Sequence, residues 1–176
     1  MFTMVKKNLP KSSTALEKAY QNCTQRGRFK QVEKSAYGDY LQRAQKDLVS
    51  AERDLSGGDL HWARVKAYQA LFHLLNALLV KHLGFFSKDH GCVIVALMSY
   101  DIITSKTAEE LSLLKQEAIK STITAVYQDL DEFRIQRNFA LYKPKAWEEV
   151  IKEDVQSEIE KIKANFNVLV RLLSAY

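Results

Sequence analysis

The residues best suited to chemistry lie near the end of a helical pattern that stops at Pro144. Arg134 and Arg137 are three positions apart, so on a helix they share one face, and Asn138 and Tyr142 follow them. An arginine is permanently charged and presents a planar fork of donors that fits a phosphate group. These four side chains are therefore candidate ligands for an anionic group. The alternative is that they terminate and pair a structural helix.

A second set of polar residues lies on the most apolar helical segment of the chain. Arg64 and Lys66 precede Tyr68 there, and they would form a positive cleft if this face met the face that carries Arg134 and Arg137. Such a cleft would suit a phosphate group or an acidic partner. The alternative is a set of exposed charges that pair with nearby carboxylates, each pair contributing little stability.

The histidines offer a candidate base but no convincing metal site. His90 follows Asp89 at a predicted helix start, where the simpler interpretation is that Asp89 caps the helix. His73 and His82 are nine positions apart, whereas two metal ligands on one helix favour a spacing of four. Because no phosphate-binding loop or glycine-rich dinucleotide motif is present either, we predict neither a metal site nor a cofactor.

The net charge of +5 is concentrated in the first 34 residues. This segment holds eight Lys and Arg against two Glu, and the remaining residues hold 18 basic and 19 acidic side chains. We expect residues 1–34 to form a basic arm, partly disordered or containing one short helix capped by Ser13 or Thr14. A basic arm can bind nucleic acid or an acidic partner, or it can simply be a solvated leader.

Cysteine usage and hydropathy favour a cytoplasmic protein. Cys23 and Cys92 have neither zinc-site spacing nor the pattern of a disulfide framework, so we expect two reduced thiols. No apolar run approaches 18 residues, and the first ten residues lack the apolar centre of a signal peptide. We therefore expect no membrane association.

The remaining pattern is helical. Apolar residues recur at three- and four-residue steps, and helices are expected at about 35–55, 59–83, 90–100, 104–142 and 146–173. Gly57-Gly58 and Gly84 should end the first two of these helices. We find no alternating pattern that would predict a strand. The predicted fold is all-α, an antiparallel up-down bundle of four to five helices over residues 35–176.

Three stretches resemble the HEPN family (higher eukaryotes and prokaryotes nucleotide-binding), and most closely a prokaryotic single-domain branch. They are residues 43–59, with a Gly-Asp turn; residues 67–79, a tyrosine-alanine helix followed by a loop and His90; and the motif Arg137-x-x-x-x-Tyr142. The resemblance implies an α-helical bundle that pairs as a homodimer. It also implies a partner, since such proteins are often encoded beside a minimal nucleotidyltransferase as a toxin and antitoxin.

Many members of that family are metal-independent RNases that use an Arg followed, after four to six residues, by a His. Arg137 matches this Arg, and Asn138 matches the polar residue that commonly follows it. Tyr142 stands where the catalytic His would be, and the similar branch has Ala-Asp-Tyr where this chain has Ala140-Leu141-Tyr142. Tyr titrates near ~10 and His near ~6.5, so Tyr142 is a poor general base.

We therefore predict a non-catalytic or weakly active subunit that associates with a nucleotide or RNA. Arg134 and Arg137 would bind phosphate, Asn138 would orient it, and Tyr142 would stack or form a hydrogen bond, with Lys66 and Tyr68 as further candidates. One alternative is an active RNase toxin that uses Arg137 with Tyr142 or His90. Another alternative is a helical adaptor that binds a second protein.

Overall fold

The computed structural model describes residues 9–10, 12–114 and 151–174 of the chain. Its helices are α1 (Ser13–Gln25), α2 (Tyr37–Gly57), α3 (Leu60–Leu83), α4 (His90–Ser99), α5 (105–114, to the end of that described range) and α6 (Lys152–Ser174). Two short strands, β1 (Phe29–Gln31) and β2 (Phe85–Ser87), complete it. The prediction of an all-α fold is therefore confirmed.

Helices α2 and α3 form an antiparallel hairpin around the expected glycine turn. Gly58 ends α2 with φ of 83°, a left-handed conformation that costs glycine little. Asp59 stands at the N-cap of α3, although its side chain makes no capping hydrogen bond. Ala44 and Ala51 of α2 are fully buried, and their small side chains let α3 approach closely.

Helix α3 is the central helix, as its apolar sequence predicts. It is buried on most of its circumference, with Leu71, Leu74 and Leu78 fully buried. It contacts α2 on one side and α6 on another. Helix α6 runs parallel to α3, because Arg64 contacts Glu158 near the start of both helices and Lys81 donates to the Leu173 carbonyl near their ends.

The expectation that the chain contains no strand is wrong. β1 and β2 pair antiparallel, with Phe29 opposite Ser87, Lys30 opposite Phe86 and Gln31 opposite Phe85. Strands of three residues are too short to show the alternation by which a strand is recognised in a sequence. This two-stranded ribbon attaches the segment before α2 to the turn that follows α3.

The expectation of two reduced cysteines is also wrong. Cys23 of α1 and Cys92 of α4 form a disulfide across 69 positions of sequence. Both are buried in the contact between these two helices. Their spacing in the sequence carried no sign of the bond, because only the packing of α1 against α4 brings them together.

The helix starts partly follow the sequence prediction. Ser12, rather than Ser13 or Thr14, caps α1 by accepting a hydrogen bond from the Ala15 backbone N–H. Asp89 caps α4, as expected. No helix in the described ranges is long and apolar enough to cross a membrane.

Candidate functional site

Tyr68 and His90, two of the candidate site residues, are brought into direct contact. The Tyr68 hydroxyl lies 2.7 Å from Nδ1 of His90, and the two rings are stacked with centroids 5.3 Å apart. Tyr68 is four-fifths of the way down the N-terminal half of α3, and His90 is the first residue of α4. The contact therefore joins the central helix to the start of α4.

The other face of this arrangement is supplied by Phe72, one turn after Tyr68 on α3. Its ring stacks on His90 with centroids 3.8 Å apart and an interplanar angle of 10°. The carboxylate of Asp89 accepts hydrogen bonds from the backbone N–H groups of Gly91 and Cys92, which fixes the first turn of α4. His90 is thus held by a hydrogen bond, by ring stacking and by a capped helix start.

Burial raises the pKa of the Tyr68 hydroxyl, so the phenol stays protonated at neutral pH. Its proton can therefore be donated to Nδ1 of a neutral His90, in the tautomer that carries its own proton on Nε2. In that tautomer His90 presents an N–H donor, which suits binding of an oxyanion. In the other tautomer Nδ1–H donates to the phenol oxygen, and Nε2 is an acceptor.

The positive cleft expected around Lys66 is instead a set of ion pairs. Lys66 Nζ lies 2.5 Å from Asp54 Oδ2 on α2. Arg64 donates two hydrogen bonds to Glu158 on α6, at 2.5 and 2.7 Å. These partners differ from the carboxylates that the sequence suggested, and they place Lys66 in the contact between α2 and α3.

A second polar pair lies one heptad away along the same contact. Asp47 Oδ2 is 2.8 Å from Nδ1 of His73, and Arg43 Nε lies 3.1 Å from Asp47 Oδ1. Asp47 and Asp54 are seven residues apart on α2, and their partners His73 and Lys66 are seven apart on α3. Two acidic residues therefore pair with two basic residues in matching register along the antiparallel helices.

Sequence reasoning missed Phe72, Asp47 and Asn76. Asn76 is buried, and its side-chain oxygen accepts a hydrogen bond from the Ser87 backbone N–H, which anchors β2 to α3. The four-residue step from Tyr68 to Phe72, and again to Asn76, was a readable sign that the three share one face of α3. The seven-residue steps in both helices were a second sign.

The remaining candidate residues, Arg134, Arg137, Asn138 and Tyr142, lie outside the described residues. Among the candidates that are described, the fold joins Tyr68 to His90. It turns Lys66 toward Asp54, since residues two apart on a helix do not share a face. In the described ranges no group of three or more His, Cys, Asp and Glu could hold a metal ion.

Comparison with known families identifies the fold. The chain belongs to the HEPN domain family, whose model matches residues 37–166. The matched span includes Tyr68, His90 and the Arg137-x-x-x-x-Tyr142 motif, and it begins after α1 and β1. No curated protein and no solved structure matches the chain.

Proposed function

We propose that this HEPN protein is a nucleotide- or RNA-associated subunit, non-catalytic or weakly active, that works with a minimal nucleotidyltransferase as a toxin and antitoxin do. Arg137 and Arg134 bind phosphate, Asn138 orients it, and Tyr142 stacks or forms a hydrogen bond. The observation that carries this proposal is the replacement of the RNase histidine by Tyr142, within the span that the family model matches. A phenol does not exchange protons readily near neutral pH.

The surroundings of His90 support a binding role rather than a base. The Nδ1 atom of His90 is within hydrogen-bonding distance of Tyr68, and its ring is stacked on Phe72. Because Tyr68 stays protonated, it can donate to Nδ1 and leave Nε2 as a donor. A donor at this position stabilises an oxyanion, whereas cleavage through the 2′-hydroxyl also requires a proton acceptor.

An active RNase is the second candidate, and one observation favours it. His90 is the described histidine that lies beside another candidate site residue, Tyr68, at 2.7 Å. In the tautomer with a proton on Nδ1, its Nε2 accepts a proton and Arg137 stabilises the charge on the phosphorus centre. The adaptor alternative has no comparable observation in its favour.

Cleavage of mixed-sequence RNA without metal, measured beside titration of ATP and GTP, tests the proposal. Wild type should cleave no RNA above background and should bind a nucleotide, and Arg137→Ala should weaken that binding by about tenfold or more, as expected for loss of a charged hydrogen bond. Arg171→Ala removes an exposed arginine of α6 and is the matched control. Cleavage that requires Arg137 would establish the RNase instead.

The partnership has its own test. Co-expression with a minimal nucleotidyltransferase encoded beside this gene, followed by size-exclusion chromatography, should yield a complex with two copies of this chain. A homodimer alone would retain the nucleotide role and contradict the partner. A monomer in both samples would contradict both assemblies.

A further inference from the structure

The β1–β2 ribbon concentrates the basic charge of the N-terminal segment on one surface. Residues 26–34 contain four basic side chains and one acidic side chain. Lys88 adds a further cation immediately after β2. We call Arg26, Arg28, Lys30, Lys34 and Lys88 the ribbon patch. Its first four members precede the residues that the family model matches, so they are additions to the HEPN bundle.

The register of the ribbon places these cations together. Lys30 is directly opposite Phe86, and since strand residues alternate between faces, these two share the face opposite to Phe29 and Phe85. Phe85 is buried and packs against Phe29 at 4.8 Å, so their face is the inner one. Lys30 and Phe86 therefore lie on the outer face.

The two ends of the ribbon carry the other cations. Phe29 pairs with Ser87, so Arg28 and Lys88, the next residues in each strand direction, flank the same end. At the opposite end the Val32 backbone N–H donates to the Gly84 carbonyl at 3.0 Å, and the side chain of Lys34 passes over Gly84. The cations thus follow the ribbon along its whole length.

These charges are available to a ligand. All five side chains of the ribbon patch are exposed. Arg28 lies 3.8 Å from Asp89 and is still 43% exposed. The other four form no ion pair with a carboxylate in the described part of the chain, in contrast to Lys66 and Arg64 in the bundle.

An aromatic ring accompanies the charges. Phe86 is half-buried and its ring lies 5.7 Å from that of Tyr40, at an interplanar angle of 39°. Exposed cations beside an aromatic ring are the two elements with which proteins bind single-stranded nucleic acid, through phosphates and through stacked bases. A structured acidic protein would use the cations but would gain nothing specific from base stacking.

The surface is held rigid by contacts beneath it. The Cys23–Cys92 disulfide precedes β1 by five residues, and Asn76 binds the Ser87 backbone from inside the bundle. Phe29 is stacked on Tyr20 of α1 at 5.3 Å. A preorganised surface loses little conformational entropy when it binds a ligand.

We propose that the ribbon patch, with Phe86, binds single-stranded RNA through its phosphodiester backbone and one stacked base. The proposal rests on the RNA association proposed above, but it assigns the contacts to residues other than Arg134 and Arg137. The ribbon patch extends the bound strand beyond the single phosphate that Arg137 holds. It accounts for why the first 34 residues carry more than the whole net charge of the chain.

Fluorescence anisotropy with a 5′-labelled mixed-sequence RNA of about 20 nucleotides, over a series of NaCl concentrations, tests this assignment. The triple variant R26Q/K30Q/K88Q removes three cations of the ribbon patch. The matched control K106Q/K152Q/K161Q removes three exposed lysines of α5 and α6. Thermal unfolding of each variant verifies that the fold is retained.

Wild type should bind with an affinity that falls as salt rises. The triple variant should lose about tenfold or more in affinity, and its salt dependence should be shallower by about 2 in the log–log slope, since each phosphate contact to a single strand contributes about 0.7. The lysine control should stay within about twofold of wild type. Phe86→Leu, which keeps an apolar side chain, should weaken binding by about fivefold or more.

Several outcomes would overturn the proposal. Equal losses in the triple variant and the lysine control would mean that only net charge matters. Equal competition by poly-glutamate and by unlabelled RNA would assign the surface to an acidic protein. If Arg137→Ala alone abolished RNA binding, the ribbon patch would be excluded while the proposed function stood. Binding of nucleotides without RNA would have the same meaning.

Discussion

The Tyr68 hydroxyl lies 2.7 Å from Nδ1 of His90, and this contact ties the central helix of the bundle to the first residue of α4. The two residues are 22 positions apart, and both lie within the span that identifies the HEPN family. The same contact decides which proton His90 carries. Stability and chemistry at this site therefore depend on one hydrogen bond.

Tyr68→Phe should remove this hydrogen bond and leave the stacking in place. We expect the free energy of unfolding to fall by about 1–2 kcal/mol, because a partly buried ring nitrogen loses its partner. Urea denaturation followed by circular dichroism measures the change. Tyr37→Phe, whose ring keeps its contact with Lys81, is the control and should change stability by less than about 0.5 kcal/mol. Equal effects would mean that the Tyr68–His90 bond contributes nothing.

Glu158→Gln should destabilise the contact between α3 and α6. The guanidinium of Arg64 is only 13% exposed, and it would lose the carboxylate that accepts two of its hydrogen bonds. We expect a loss of about 2–3 kcal/mol in the free energy of unfolding, below the range for fully buried pairs because both side chains keep some solvent contact. Glu160→Gln, an exposed change on the same helix, should be nearly neutral in the same denaturation experiment.

Reduction of the Cys23–Cys92 disulfide should destabilise the protein and loosen α1 most. A bond that closes a loop across 69 positions contributes about 4 kcal/mol in the chain-entropy description. Thermal unfolding with and without dithiothreitol measures the total effect, and hydrogen exchange locates it. The Cys23→Ser/Cys92→Ser variant should be insensitive to the reductant. Identical unfolding of the oxidised and reduced wild type would show that the bond does not form in solution.

Stability should fall as the solution becomes acidic below pH 6.5. The pKa of His61 is lowered, mainly by burial and also by the charge of Arg64. The pKa of His82 is lowered by burial and by Lys81 and Lys34. Below the unfolded-state value near 6.5 the unfolded chain binds more protons than the folded chain, so acid favours unfolding. Stability is fully present above pH 6.5 and is lost as the pH falls toward the folded-state pKa values.

Urea denaturation at pH 7.5, 6.5 and 5.5 measures this dependence. His61→Gln and His82→Gln should each make stability less sensitive to pH over that interval, since glutamine does not titrate. A pH dependence that is unchanged in both variants would contradict the role of these two histidines. An increase in stability on acidification would contradict the sign of both pKa shifts.

Much of the fold could be predicted because its signals are local. The end of α2 at Gly58, the end of α3 at Gly84 and the Asp89 cap of α4 each depend on residues within one turn. The burial of α3 follows from apolar residues all around that helix. The family likewise follows from a linear order of motifs, and Arg137 with Tyr142 is legible without any structure.

The partners of polar residues could not be predicted in the same way. Lys66 was expected beside a phosphate and instead binds Asp54, and Arg64 binds a carboxylate 94 positions away. The strength of an ion pair depends on distance and burial, and neither is written in the spacing of charges along a chain.

The sequence alone determined the helices, their ends, the HEPN membership and the concentration of basic charge before residue 35, since each depends on neighbouring residues or on linear order. Tertiary structure alone decided that Cys23 meets Cys92, that β1 pairs with β2 and that Tyr68 meets His90. These contacts join residues from 22 to 69 positions apart. They exist because α1, α3 and α4 bury their apolar faces against one another, and that packing brings distant side chains within bonding distance.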